Sequence, residues 1–343
     1  MTELKRVRLE PPYLLLIGEE TDPIYAKTAL GIVQWCPEKV CGQLRFNQRS
    51  VDLGVPDQSI EDAIQAGARS LVIGTATVGG LLPDGWIEVL VEAANAGLDI
   101  ISGLHLRLAD HPKLAAAAQA SGARLVDVRI PPSTLPVGTG KKRKGRRVLT
   151  VATDCAIGKK YTALSLHRDM RAAGMNATFR ATGQTGIMIA GEGIPIDAVV
   201  ADFISGAAEV LSPDNEADHW DVIEGQGTLF HPGYAGVSLG LLHGSQPDAL
   251  VMCHDPLRTT LTGWDHFNLP PLQECIETHL KMGRLTNPNI CCIGISINTS
   301  SLPDHKRRAC LEEITQQTGI PAVDPLIDGC EAIVENIKQQ FED

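Results

Sequence analysis

The chain has 343 residues, 43% of them hydrophobic, and a formal net charge of −11. That length fits two domains of roughly 100–200 residues, and the acidic balance argues against broad nucleic-acid binding, which needs a basic face. No apolar run approaches the roughly 20 residues of a membrane span, and no small-residue cleavage site closes the N-terminal stretch, so a cytoplasmic protein with no membrane partner is expected.

In chain order, YLLLIG, VCGQLR, SLVIGTA, LDIISG and ARLVDVR are apolar runs of strand length. Amphipathic stretches at Tyr25–Trp35, Ile60–Ala66, Trp86–Ala96 and Pro112–Ala120 lie between them. Such alternation predicts a parallel sheet covered by helices, because parallel strands need crossover connections. From Ile130 to Arg147 the composition changes to prolines, glycines and a dense basic run, IPPSTLPVGTGKKRKGRR. This reads as a solvated linker. The alternation then resumes with RVLTVAT, NATFRAT, WDVIEG, DALVMCHD and NICCIGISIN. The expected fold is α/β, with two doubly wound parallel-sheet domains: a Rossmann-like domain over 1–135, a basic linker over 136–147 and a P-loop NTPase-like domain over 148–343.

Nine cysteines form no CxxC pair, and ten histidines form no HExxH pair. The thiols are expected free in a reducing compartment, and no metal site is expected.

The run VLTVATDCAIGKKYTAL, residues 148–164, has the order strand, small-residue turn, helix. N–H groups at a helix N-terminus point at phosphates, and a lysine there adds a full charge. Thr153, Asp154, Cys155, Ala156, Gly158, Lys159 and Lys160 are therefore the expected phosphate-binding residues. Lys159 is read as a loop lysine with no burial to lose. The following helix is expected over Lys160–Ala173, stopped by Gly174. The run resembles the GTDxxxGK loop of dethiobiotin synthetase and related P-loop enzymes, with two departures. Ala152 stands where a glycine is expected, and Lys160 where those enzymes carry the Ser or Thr that binds Mg²⁺. Thr162 is no substitute, because two helical steps of about 100° turn it away. The loop keeps its phosphate donors and lacks its metal clamp.

Longer strings carry a narrower resemblance. VATDCAIGKKYTAL, RATGQTGIMIAGEGIPIDAVVADFISGAAE, VIEGQGTLFHPGYAGVSLGLLHGSQPDALVMCHDPLR and PAVDPLIDG are similar to the D-glutamate N-acetyltransferase family, as are VIGTATVGGLLPDGW, GLDIISGLHLRL and LVDVRIPP in the first domain. The resemblance implies acetyl transfer from acetyl-CoA, as co-substrate, to the amino group of D-glutamate or a similar amino acid. The donor's phosphates then need binding and not cleavage, which suits a loop without a metal clamp. Amine attack on a thioester needs a base. Glu224, at a strand end before Gly225 and Gly227, is the first candidate, and His254 the second; His231 is a further histidine in a shaped loop. A dicarboxylate acceptor calls for cations and donors. Arg180, Gln184 and Thr185 in RATGQTG, with Arg258 in CHDPLR, are the residues expected to bind it, Arg180 sharing a sheet edge with Lys159 and Glu224. Asp197 and Asp202 are explained equally well by helix capping. Lys27, the glycines of GTATVGG and His105 make a second candidate pocket in the first domain. Two other functions compete: an ATP- and Mg-dependent synthetase or kinase of the dethiobiotin synthetase type, and a non-enzymatic nucleotide-binding regulator. The expected partners are a small-molecule substrate and further copies of the chain.

Overall fold

The computed structural model describes residues 7–76, 82–83 and 85–341. The chain divides into two compact units. The N-terminal unit runs up to Ile130 and includes Gln184–Pro195; the P-loop unit holds Pro131–Gly183 and the chain from Ile196 onward.

Among the described residues, the N-terminal unit contains β1 (Tyr13–Gly18), α1 (Lys27–Trp35), β2 (Val40–Arg45), α2 (Ile60–Gln65), β3 (Ser70–Ile73), α3 (Trp86–Asn95), β4 (Asp99–Ser102), α4 (Pro112–Ser121) and β5 (Leu125–Asp127). The strands form one sheet in the order β2-β1-β3-β4-β5, and each neighbouring pair is parallel. Leu14, Leu15, Leu16 and Ile17 are consecutive and buried. A run buried on both faces needs helices on both sides, which is why it lacks polar alternation. Each such side chain contributes roughly 1.5–3 kcal/mol of burial.

The P-loop unit begins with β6 (Arg146–Ala152), α5 (Lys159–Ala172) and β7 (Ala177–Arg180). Helix α6 (Gln184–Ala190) then leaves this unit and packs on α1 of the N-terminal unit. The buried hydroxyls of Thr28 and Thr185 lie 3.1 Å apart. The continuous 148–343 domain expected from sequence thus lends a short segment to its neighbour. The remainder comprises α7 (Ile204–Leu211), β8 (Trp220–Ile223), α8 (Ala235–Ser245), β9 (Ala249–His254), the antiparallel hairpin β10 (Thr260–Leu261) and β11 (Trp264–Asn268), α9 (Leu272–Gly283), β12 (Cys291–Ile297), α10 (Asp304–Thr318), β13 (Ala322–Val323) and α11 (Glu331–Phe341). Six parallel strands take the order β13-β12-β9-β6-β8-β7. Strand order reverses between β6 and β9, and ligands of doubly wound sheets bind at the carboxyl ends of such a pair.

The basic run is not wholly a solvated linker. Arg143 is buried and donates from Nε to the Ser212 carbonyl at 2.8 Å and from Nη2 to the Gly244 and Ser245 carbonyls at 2.8 and 3.1 Å. These carbonyls end α7 and α8, where backbone acceptors lack intrahelical partners. Arg147 is buried beside it. Burial, with the Arg147 charge adding to it, pushes Arg143 down to about 10. Lys141, Lys142 and Lys144 stay exposed, as expected of a linker.

Candidate active site in the P-loop unit

The turn from β6 to α5 spans residues 153–158, with left-handed backbone at Ala156 (φ 52) and Gly158 (φ 107). A Cβ at Gly158 would meet nothing within 4 Å, so the requirement for glycine there is conformational. Gly158 is the N-cap of α5 and supplies no side-chain cap, which leaves the first-turn N–H groups open to an anion. Ala152 packs beneath the turn with Ile157 and Cys253, so its methyl fills the core where related loops have glycine.

Lys159 opens α5 and is buried, contrary to the loop-lysine expectation. Its Nζ donates to the Asp154 carbonyl at 3.0 Å. Burial pushes the ammonium pKa down, with nearby Asp154 among the groups opposing the shift. The Asp154 carboxylate faces away from Lys159 in its bonding: Oδ2 accepts from Arg258 Nη1, from Thr262 N and from Thr262 Oγ1, each at 2.9 Å. Arg258 Nη1 also donates to the Cys155 carbonyl at 2.7 Å. The loop is therefore braced against the hairpin and the segment after β9. Arg258, expected at the substrate, holds this brace. Thr262 was not singled out in the sequence; its signal was Gly263 (φ 80), which turns a short run of strand-forming residues.

His254 ends β9 with Nδ1 3.1 Å from Thr153 Oγ1. Burial lowers its pKa, with Asp255 opposing, so the ring is neutral at pH 7. His231 is buried, stacked on Tyr234 with ring centroids 4.4 Å apart, and its Nδ1 accepts from Gly233 N at 3.1 Å. It shapes its loop.

Glu224 follows β8 and is 4% exposed. Its Oε2 accepts from Thr182 N at 3.0 Å and from Gly183 N at 3.1 Å. Burial raises its pKa; the two backbone bonds and the Lys160 charge pull it back, while Asp197 pushes it further up. A raised pKa makes the carboxylate a stronger base toward a substrate proton. At Gly225 the backbone lies so close to β6 that a Cβ would come 1.7 Å from the Thr150 carbonyl oxygen. Only glycine lets the Glu224 segment approach the loop strand this closely.

The donor set does not fit a P-loop magnesium clamp. Thr162, the nearest aliphatic hydroxyl in sequence, donates to the Gly158 carbonyl at 3.1 Å and lies 2.7 Å from Ser296 Oγ inside the core. Lys160 stands at the clamp position with its Nζ 4.4 Å from the Tyr161 ring centroid. Among the described residues no cluster of three or more His, Cys, Asp or Glu side chains fits a metal ion.

Arg180 departs from its expected place. Its main-chain carbonyl accepts from Glu224 N at 3.0 Å, but its side chain donates from Nε to Asp221 Oδ1 at 2.7 Å. Asp221 pairs in register with Thr178, two residues back from the strand end, so the guanidinium runs away from the carboxyl edge. The physical reason is that a carboxylate buried on β8 demands a counter-charge. Gln184 and Thr185 belong to the N-terminal unit, where Gln184 sits against Gly103. Asp197 and Asp202 lie in 3-10 turns, Ile196–Ala198 and Ala201–Phe203. In the N-terminal unit Lys27 opens α1 and His105 is exposed, while Gly79 and Gly80 of the second candidate pocket lie outside the described residues.

Fold and loop together define a two-domain α/β protein whose P-loop-like turn lacks the hydroxyl of a P-loop kinase. Residues 136–334 match a family model described as a domain of unknown function, the DUF1611_C P-loop domain, and residues 47–131 match its DUF1611_N Rossmann-like partner. The chain is 46% identical over 327 residues to a D-glutamate N-acetyltransferase of Tritonibacter scottomollicae, covering 95% of this chain and 98% of the relative. It is 47% identical over 331 residues to a D-glutamate N-acetyltransferase of a Pseudoalteromonas species, covering 96% and 100%. A crystal structure of a DUF1611 family protein from Anabaena variabilis is 33% identical with a TM-score of 0.89, covering 96% of this chain and all of that one. The chain belongs to the D-glutamate N-acetyltransferase (DUF1611) family.

Proposed function

We propose that this chain transfers the acetyl group of acetyl-CoA to the amino nitrogen of D-glutamate. The reading is carried by near full-length similarity to two proteins of that name, at 46% and 47% identity. The site chemistry agrees with it. CoA presents a diphosphate and a 3′-phosphate, and the open N–H groups of α5 with Lys159 and Lys160 supply donors and charge for phosphate without a metal. Glu224 takes one proton from the ammonium of the acceptor; the neutral amine attacks the thioester carbonyl, the C–N bond forms, the C–S bond breaks, and the second proton lost by the nitrogen goes to the leaving CoA thiolate. His254, neutral and at the end of β9 on the other side of β6, is the alternative base.

Among the described residues no helix is long and apolar enough to cross a membrane. The nine cysteines are all free, which supports placing the protein in the reducing cytoplasm. A homo-oligomer is the proposed assembly; Tyr234, Leu257, Phe267, Leu326 and Ile327 are exposed apolar side chains of the P-loop unit available to a second copy, and light scattering measures the mass. Calorimetric titration with CoA, dephospho-CoA and ATP, each once with EDTA and once with Mg²⁺, tests the loop assignment. CoA is expected to bind most tightly without metal. Binding of ATP alone, and only with Mg²⁺, would transfer the loop to a synthetase.

A further inference from the structure

The order β2-β1-β3-β4-β5 places a topological switch point in the N-terminal unit, between the carboxyl ends of β1 and β3. A cavity of about 190 Å³ lies there, lined by Glu19, Glu20, Thr21, Thr75, Pro83 and Trp86. At roughly 30 Å³ per water this is room for about six waters, the scale of a small metabolite group. A dinucleotide site would have a glycine-rich turn here for its pyrophosphate. This chain has Gly18-Glu19-Glu20-Thr21-Asp22 instead, and those carboxylates repel phosphate.

Among the described residues the carboxylates are held in place, each by one of its two oxygens. Glu19 Oε2 accepts from the Trp86 indole at 2.8 Å, and Glu20 Oε1 accepts from Thr21 N and Asp22 N, both at 2.9 Å. Each therefore has a second oxygen outside these bonds. The third wall group is more telling. Thr75 is 1% exposed, lines the cavity, and among the described residues its hydroxyl has no hydrogen-bond partner. A buried hydroxyl without a partner is costly, and an unexplained one marks a place where a ligand completes the bonding.

We propose that this cavity is a second ligand site, distinct from the phosphate loop, that takes the primary ammonium group of a small molecule. Three N–H donors and a positive charge match two carboxylates and one hydroxyl. A neutral diol satisfies the hydrogen bonds but leaves the charges uncompensated.

The full-length protein is titrated with ethanolamine and, separately, with ethylene glycol, followed by ligand-observed NMR. Saturable binding of ethanolamine and none of the glycol is expected. Glu20→Gln keeps the amide oxygen for Thr21 N and Asp22 N, and Thr75→Val removes the hydroxyl with little change of shape. Each should weaken ethanolamine at least tenfold while CoA affinity stays within twofold of the parent. Thr75→Val should also melt no lower than the parent, because it removes an unsatisfied buried group. Ethanolamine binding that is absent, or unchanged in both variants, overturns the proposal. So does tighter binding of the glycol, or a parallel loss of CoA binding.

Discussion

Lys159 Nζ reaches back to the main-chain oxygen of Asp154 at 3.0 Å, so the charge proposed to hold phosphate also closes its own loop. Removing it has two consequences. Lys159→Ala should weaken CoA by about 1.5–3 kcal/mol, the range of a hydrogen bond to a charged group. It should also lower the melting temperature, since the side chain is buried. Lys159→Met keeps the aliphatic bulk and should recover most of the stability but none of the affinity. Titration calorimetry and thermal unfolding of both variants separate the effects; full CoA affinity in either one contradicts the loop assignment.

Arg180 is expected to matter for stability before catalysis. Its partner Asp221 is buried, and breaking one side of such a pair costs about 3–5 kcal/mol. Urea unfolding of Arg180→Ala should show a loss of that order. Arg180→Leu combined with Asp221→Leu should regain part of it, because the pair goes together while the buried Arg147 loses the Asp221 counter-charge. In folded Arg180→Lys the KM for D-glutamate should stay within a few-fold of the parent. A tenfold rise in that KM without loss of stability would return Arg180 to the acceptor site.

The parallel sheets, the loop strand and the turn before α5 were legible because each rests on local pattern: apolar runs, helical periodicity and a small-residue turn. The helix expected over Lys160–Ala173 begins one residue earlier, at Lys159. What was not legible depends on partners distant in sequence. Nothing near Arg180 announces Asp221, 41 positions on. The brace from Asp154 to Thr262 spans 108 positions. The docking of α6 on α1 likewise rests on Thr28 meeting Thr185 and on Gly103 leaving space for Gln184.

Lys160→Thr supplies the hydroxyl that P-loop kinases offer to magnesium. Binding of ATP in the presence of Mg²⁺ should strengthen, while acetyl transfer should not rise, since the proposed donor requires no metal. Filter binding of labelled ATP and a thiol-release assay report the two quantities. A parent protein that already hydrolyses ATP rapidly with Mg²⁺ contradicts this.

Stability should fall as pH drops from about 6.5 toward 4. Burial pushes His279 down to about 4, with the Lys159 charge adding to the effect and the Cys275 carbonyl opposing it. His167, His219 and His254 are also lowered by burial. In that window the unfolded chain binds protons that the folded chain does not, so ∂ΔG/∂pH of unfolding is positive. His279 alone accounts for about 3 kcal/mol by this linkage. Glu224 and Asp127, whose pKa values burial raises, act in the opposite sense above their unfolded values. His279→Gln, which keeps an N–H for the Cys275 carbonyl, should flatten the profile in denaturant titrations. An unchanged slope would assign the acid sensitivity elsewhere.

Acetyl transfer itself is the most direct test of the account. The full-length protein is supplied with acetyl-CoA and D-glutamate in the presence of EDTA, and N-acetylglutamate and free CoA thiol are measured together. One thiol is expected per N-acetylglutamate formed, at the same rate with and without EDTA, and kcat/KM should fall at least tenfold in Glu224→Gln or His254→Asn, whichever holds the base. No product from D-glutamate, or product only with ATP and Mg²⁺, would contradict it.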